Sequence, residues 1–235
     1  MTNKIAKGMK DAIPICAGYL AVGFTFGMAA AAQGIGAGGA ALISATNLTS
    51  AGQFAGLTVI AAAAPYFEMA LTQLIINLRY ALMALSLSQK LEPGIGKWQR
   101  CVIAFGITDE AFALVSTQEG KVGKHYIYGV MSVCIASWTT GTFFGAAASS
   151  ALPPAVGSAL GIAIYGMFLA IIIPPAKKEK SIAAVIFIAI VLSSALWFLP
   201  GLKEISPGFA IIICTVLASA IGAIIHPIRE EEVNP

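Results

Sequence analysis

Long stretches with no charged side chain recur along the whole of this chain. Residues 12–32 carry none, Gly36 to Ala64 carry none, and the runs at 181–199 and 208–226 are equally bare. An uncharged apolar run of about 20 residues is the length that crosses a bilayer as a helix. Water cannot satisfy backbone groups in hydrocarbon, so such runs must close their hydrogen bonds internally, as helices do. Only 11% of the 235 residues are charged and mean hydropathy is +0.85. A soluble domain uses about 25% charged residues to cover its surface. The runs are continuous rather than alternating, which excludes the dyad pattern of a membrane β-barrel. The expected fold is therefore all-α: a polytopic transmembrane helix bundle forming one integral membrane domain over residues 1–235.

Eight apolar segments are legible, at roughly 12–33, 37–64, 66–88, 101–117, 126–151, 155–173, 181–199 and 208–226. Two are irregular. The second is long and carries S44-A-T-N-L-T-S-A-G-Q-F54, dense in hydroxyl and amide side chains. The fourth is short and holds Asp109 and Glu110 at its centre. Lysine placement sets the orientation. Lys4, Lys7 and Lys10 put the N-terminus in the cytoplasm, and Lys121, Lys124, Lys177, Lys178, Lys180 and Arg229 give inside loops and a cytoplasmic C-terminus. Eight simple crossings would place Lys90, Lys97 and Arg100 outside. If segments two and four re-enter, every loop agrees. The chain thus has eight spans, or six spans plus two broken or re-entrant segments. An N-terminal run of about 21 residues exceeds a usual signal core and reads as the first membrane helix.

A shift of 118 residues superposes Cys16 on Cys134, Gly23 on Gly141, Phe26-Gly27 on Phe144-Gly145, and Ala41-Leu42 on Ala159-Leu160. Transporters are often built from such repeats. The expectation is two halves, 1–117 and 118–235, with chance similarity between Ala/Gly-rich helices as the alternative. The match fades near residue 45, so the polar motif has no counterpart in the second half.

The small positive charge of +3 matches membrane loops, not a nucleic-acid footprint. Cys16, Cys101, Cys134 and Cys214 are widely spaced and form no metal motif. His125 and His226 have no catalytic companions, so an enzyme is not expected, and neither cofactor nor metal is implied. Chemistry concentrates in three places. In the polar motif, Ser50 is placed to cap a half-helix from Ala51. Amides at such a start suit a carboxylate, with Asn47, Thr49, Gly52, Gln53 and Phe54 around it. The alternative is a continuous helix packed through small residues. In segment three, Glu68, Thr72 and Arg79 share one face. Arg79 is deep enough to mark a transport pathway, or it pairs with Asp109 or Glu110, or it snorkels. Asn77 and Gln73 lie opposite as interhelical hydrogen bonders. In segment four, Thr108 is placed to cap a helix from Asp109. Asp109 and Glu110, with Glu68, are candidates for proton or ion coupling or for holding an ammonium; a wetted loop is the plainer reading.

Taken in order, Pro14 and F-G in the first helix, then S-A-G-Q-F, N-L-R-Y and T-D-E-A-F resemble the AzlC-type large subunit of branched-chain amino-acid exporters. The resemblance covers most of the chain and falls on Ser50, Gly52, Gln53 and Phe54; Asn77, Arg79 and Tyr80; and Thr108, Asp109, Glu110 and Phe112. It implies export of leucine, isoleucine, valine and methionine across the cytoplasmic membrane, driven by an ion or proton gradient. It also implies a small hydrophobic partner of the AzlD type in the same lipid bilayer. Read on the residues, the half-helix at Ser50–Phe54 and Arg79 bind substrate carboxylate. Asp109 or Glu110 takes the ammonium or a proton, and Phe26, Phe54 and Phe112 line the apolar part. The rival reading is a channel for small solutes or ions, because re-entrant segments also line pores.

Overall fold

The computed structural model describes residues 2–149, 151, 169 and 172–227. The expected segment at 155–173 lies almost wholly outside them. Among the described residues the chain is helical, with one isolated bridge between Leu91 and Val122 in place of any sheet. The helices are α1 (Thr2–Ala32), α2 (Ala37–Thr46), α3 (Ala51–Ala61), α4 (Tyr66–Lys90), α5 (Lys97–Phe105), α6 (Asp109–Ser116), α7 (Lys124–Ala148), α8 (Lys180–Phe198) and α9 (Pro207–Ile225). Five of these, α1, α4, α7, α8 and α9, are long and apolar enough to cross a membrane. Each irregular segment is split into two short helices, α2–α3 and α5–α6.

The chain divides into two compact units, 1–57 with 77–164, and 58–76 with 165–235. In the first, α1 and α7 run side by side and parallel. Asp11 accepts a hydrogen bond from Tyr126 Oη (3.0 Å) near their starts, and Phe26 and Ala146 share a core near their ends. Glycine makes this contact possible. A Cβ on Gly23 would lie 2.6 Å from the Trp138 carbonyl oxygen, and one on Gly141 would lie 2.5 Å from that of Leu20. The 118-residue shift carries Gly23 onto Gly141 and Leu20 onto Trp138, so the two contacts are images of each other.

Both broken segments turn back. The second hairpin starts and finishes at the N-terminal end of α1. There Lys4 Nζ meets Glu92 Oε1 (3.4 Å) and Lys7 Nζ donates to Gln118 Oε1 (3.3 Å). Lys90 donates to the Ser116 carbonyl, and Leu91 bridges Val122. Residues before α5 and after α6 are therefore neighbours. The loop that charge counting could not place sits beside the N-terminus. The first hairpin enters from the other end. Ala40 at the top of α2 and Leu57 on α3 share a core with Phe26 and Ala30, late in α1. A continuous helix would carry Leu57 away from that cluster.

On α4, Leu74, Leu78, Leu82 and Leu85 are exposed at helical spacing, as a lipid-facing stripe requires. In the second unit, Glu68 is only 3% exposed. Its Oε1 accepts from Ser206 Oγ (2.5 Å) and Gly208 N (2.9 Å). It thereby caps α9 in place of the Ser206 side chain, and the positive end of the helix favours the carboxylate.

Candidate functional site

The tips of the two hairpins carry the unusual backbone. At the first, α2 ends at Thr46, Thr49 Oγ1 donates to Asn47 Oδ1 (2.7 Å), and Ser50 takes φ +47°. Ser50 precedes α3 as expected but not as a side-chain cap, which would need extended backbone. Its carbonyl instead accepts Phe54 N (3.1 Å). A left-handed conformation at a non-glycine residue costs energy and clusters at functional sites. Behind this tip lies a polar chain closed off from solvent. Gln53, 2% exposed, donates through Nε2 to Ser44 Oγ (3.0 Å). Ser44 lies 2.7 Å from Thr142 Oγ1, which donates to the Trp138 carbonyl (2.9 Å). The chain pins both arms of the hairpin to α7.

At the second tip, α5 stops at Gly106 and Thr108 caps α6, its Oγ1 accepting Ala111 N (3.2 Å). The cap and the helix start at Asp109 are as the sequence predicts. Asp109 and Glu110 then point to different partners. Asp109 Oδ2 pairs with Arg79 Nη1 at 2.7 Å. Tyr19 Oη on α1 lies 2.6 Å from Glu110 Oε2 and 2.5 Å from Thr108 Oγ1.

Arg79 and Tyr80 link the tips. Arg79 Nη2 donates to Tyr80 Oη (3.2 Å), and Tyr80 donates to the Thr49 carbonyl (3.3 Å). A continuous path, Asp109–Arg79–Tyr80–Thr49, therefore runs from one tip to the other. Tyr19 is eight residues beyond Asp11, the last charged residue before the apolar run of α1, which is about 12 Å at 1.5 Å per residue. Thr108 and Glu110 thus sit about 12 Å into a hydrocarbon core of about 30 Å. The side chains of Arg79 and Asp109 are still 40% and 39% exposed. Charges at that depth normally face water or a bundle interior rather than lipid.

The structure brings together Asn47, Ser50, Arg79, Thr108, Asp109 and Glu110 around the tips, with Gln53 behind the first. Phe54 is packed edge-to-face on Phe26 (5.3 Å), and Phe26 is wholly buried, so Phe26 supports Phe54 rather than lining open space. Phe112 packs against the main core. Glu68 makes its hydrogen bonds within the other unit, 11 residues from Arg79 along α4. Sequence reasoning passed over Tyr19, Trp138 and Thr142, polar or aromatic residues scattered in ordinary apolar helices with no local signal. Among the described residues, no three His, Cys, Asp or Glu side chains gather as a metal group.

The known proteins that this chain resembles are membrane proteins. No solved structure matches. The chain is 28% identical over 183 residues to the inner membrane protein YgaZ of Escherichia coli (strain K12), covering 75% of each chain. It is 32% identical over 185 residues to a membrane protein of Archaeoglobus fulgidus, covering 76% of this chain and 79% of the relative. A membrane protein of Helicobacter pylori (strain ATCC 700392 / 26695) is 30% identical over 155 residues, covering 63% of this chain and 67% of the relative. The sequence model described as AzlC protein matches residues 14–152, the span that holds both hairpins. This chain is a multi-pass membrane protein of the AzlC family.

Proposed function

We propose that the protein is a secondary exporter of branched-chain and other neutral apolar amino acids across the cytoplasmic membrane. It is driven by a proton or ion gradient and works with a small AzlD-type membrane subunit. The observation that carries this reading is the Arg79–Asp109 ion pair, exposed at membrane depth between two broken helices. A zwitterion can replace each partner of such a pair. Its carboxylate takes the place of Asp109 on Arg79, and its ammonium takes the place of Arg79 on Asp109. The substrate then swaps one matched pair of charges for two, and no bare charge is left in the membrane.

Two buried polar atoms support this. Arg79 Nε and Gln53 Oε1 are inaccessible to solvent and have no partner among the described residues. An unsatisfied buried donor or acceptor costs about 1–3 kcal/mol, and a bound amino acid supplies both an acceptor and a donor. Asn47, Ser50, Gly52 and Thr108 complete the backbone turns around the site, and Phe54 borders it. Gates of this kind, built from discontinuous helices at mid-depth, are the usual architecture of secondary transporters. The mirrored α1–α7 contacts support two repeated halves, 1–117 and 118–235. Glu68, placed among the coupling candidates by its sequence position, serves in this reading as the cap of α9.

Efflux of radiolabelled leucine from cells or proteoliposomes tests the assignment. Asp109→Asn and Arg79→Gln should each abolish saturable efflux, and unchanged efflux in both would sink it. The channel reading predicts flux that does not saturate and is not raised by a gradient.

A further inference from the structure

We infer that the coupling proton is held on Glu110 and read by Tyr19, while Asp109 is reserved for the amino-acid ammonium. The inference rests on the exporter reading and divides labour between the two acids. Asp109 has its charge matched by Arg79 (2.7 Å). No cation pairs with Glu110 among the described residues; its partner is the Tyr19 hydroxyl at 2.6 Å. Tyr19 itself is buried while Glu110 is exposed, so the phenol is enclosed by protein and the acid stands at its edge.

A phenol has one proton and here two oxygen neighbours, Glu110 Oε2 and Thr108 Oγ1 (2.5 Å). It can donate to only one of them. With Glu110 ionised, Tyr19 donates to the carboxylate and Thr108 donates to Tyr19. When Glu110 takes a proton from water, the new carboxylic O–H donates to Tyr19 Oη. The Tyr19 O–H swings to Thr108 Oγ1, which then accepts both Tyr19 and the Ala111 N–H that it already caps. No covalent bond to Tyr19 breaks, and release reverses each step. Tyr19 keeps one donor and one acceptor in both states, whereas protonation of Glu110 turns the buried Thr108 O–H away from Tyr19, so the change in charge arrives at the cap of α6. That helix begins with Asp109, so the ion pair with Arg79 is set by the same turn of backbone.

A second observation points into the same place. The Trp138 ring stacks edge-to-face on Tyr19 (5.4 Å), and its indole Nε1 is buried with no acceptor among the described residues. A donor held against the relay with no partner is a place for a water or a substrate oxygen in another state of the cycle. The titratable groups facing Glu110 and Tyr19 are Asp109 on α6, Tyr80 on α4 and Cys134 on α7, and behind them Arg79 faces Asp109 and Tyr80 while Cys16 faces Cys134. Tyr19 is a positioning residue, because it acts through Glu110 and Thr108.

Trp138 offers a reporter independent of transport. In a full-length protein with Trp98→Phe and Trp197→Phe, Trp138 is the remaining tryptophan. Its fluorescence in nanodiscs should change sigmoidally with pH, and the change should vanish in Glu110→Gln and in Tyr19→Phe. Persistence of the pH response in Glu110→Gln would overturn the inference. In proteoliposomes, leucine movement is scored as the ratio with and without an imposed gradient of one pH unit. One proton per amino acid makes that gradient worth up to about tenfold. The ratio should fall to about one in both variants. An undiminished ratio in Tyr19→Phe, or drive by sodium in place of protons, would refute the assignment. Absence of leucine transport by the unmutated protein would instead count against the exporter reading, and the fluorescence titration would still decide the relay.

Discussion

Neutralising both members of the Arg79–Asp109 pair separates a structural ion pair from a substrate site. The pair is short, 2.7 Å, but each side chain is about two-fifths exposed (40% and 39%). Two unit charges about 4 Å apart attract by about 4 kcal/mol at an effective dielectric of 20. Removing one partner of a fully buried pair costs about 3–5 kcal/mol, and an exposed pair is worth about 0–1 kcal/mol. With intermediate exposure, Asp109→Asn or Arg79→Gln should each cost about 2 kcal/mol. That corresponds to about 4–8 °C in melting temperature for a chain of this size. The double substitution leaves no lone charge and should melt within about 1 kcal/mol of the parent. Its transport, however, should be absent, because neither end of a zwitterion finds a counter-charge. The assay is thermal unfolding in detergent beside leucine efflux for all four proteins. A double variant that is stable and transports at the parent rate would refute the substrate role. A double variant as unstable as either single would refute the stability argument.

Other expectations follow from the same geometry. Gly23→Leu and Gly141→Leu should each destabilise the α1–α7 contact by more than about 1–3 kcal/mol, the usual cost of overpacking. The closest atoms are backbone carbonyls that cannot move aside, and detergent melting curves would show it. Thr108→Ala should cost about 1 kcal/mol by removing the α6 cap, whereas Thr108→Ser keeps both the cap and the Tyr19 contact and should restore the melt. Glu68→Ala should cost about 1–3 kcal/mol by stranding Gly208 N and Ser206 Oγ, and Glu68→Gln should recover much of it. In a background lacking the four native cysteines, Gly96→Cys and Lys4→Cys should react with an impermeant maleimide from the same face of the membrane, because Glu92 touches Lys4. Labelling from opposite faces would contradict the second hairpin.

Much of this fold was legible in the sequence because hydrocarbon leaves a chain few choices. Runs such as 181–199 can only be helices, and the charge map agreed at every loop if segments two and four turned back, with eight spans as the alternative. Thr108 announced its helix because Thr before Asp-Glu is a local signal. Ser50 was harder. The break was legible from its polar residues, but the left-handed backbone there depends on how Tyr80 and the α7 polar chain hold the turn. The site was only half visible for the same reason. Asp109, Glu110 and Arg79 stand out as charges in an apolar field, so their pairing could be weighed in advance. Tyr19, Thr142 and Trp138 acquire meaning only from the parallel packing of α1 on α7. That packing places residues more than 80 positions apart within hydrogen-bond reach. Glu68 shows the converse: a buried acid reads as functional from sequence, yet its partners are the first turn of α9.

Counterflow in proteoliposomes tests the central claim most directly. Vesicles holding the purified protein are loaded with unlabelled leucine and diluted into trace labelled leucine, with and without the AzlD-type subunit. The account predicts transient accumulation of label above equilibrium, saturable by internal leucine and abolished by combining Arg79→Gln with Asp109→Asn. Label that enters only to equilibrium, at a rate proportional to concentration and unaffected by that double substitution, would contradict it.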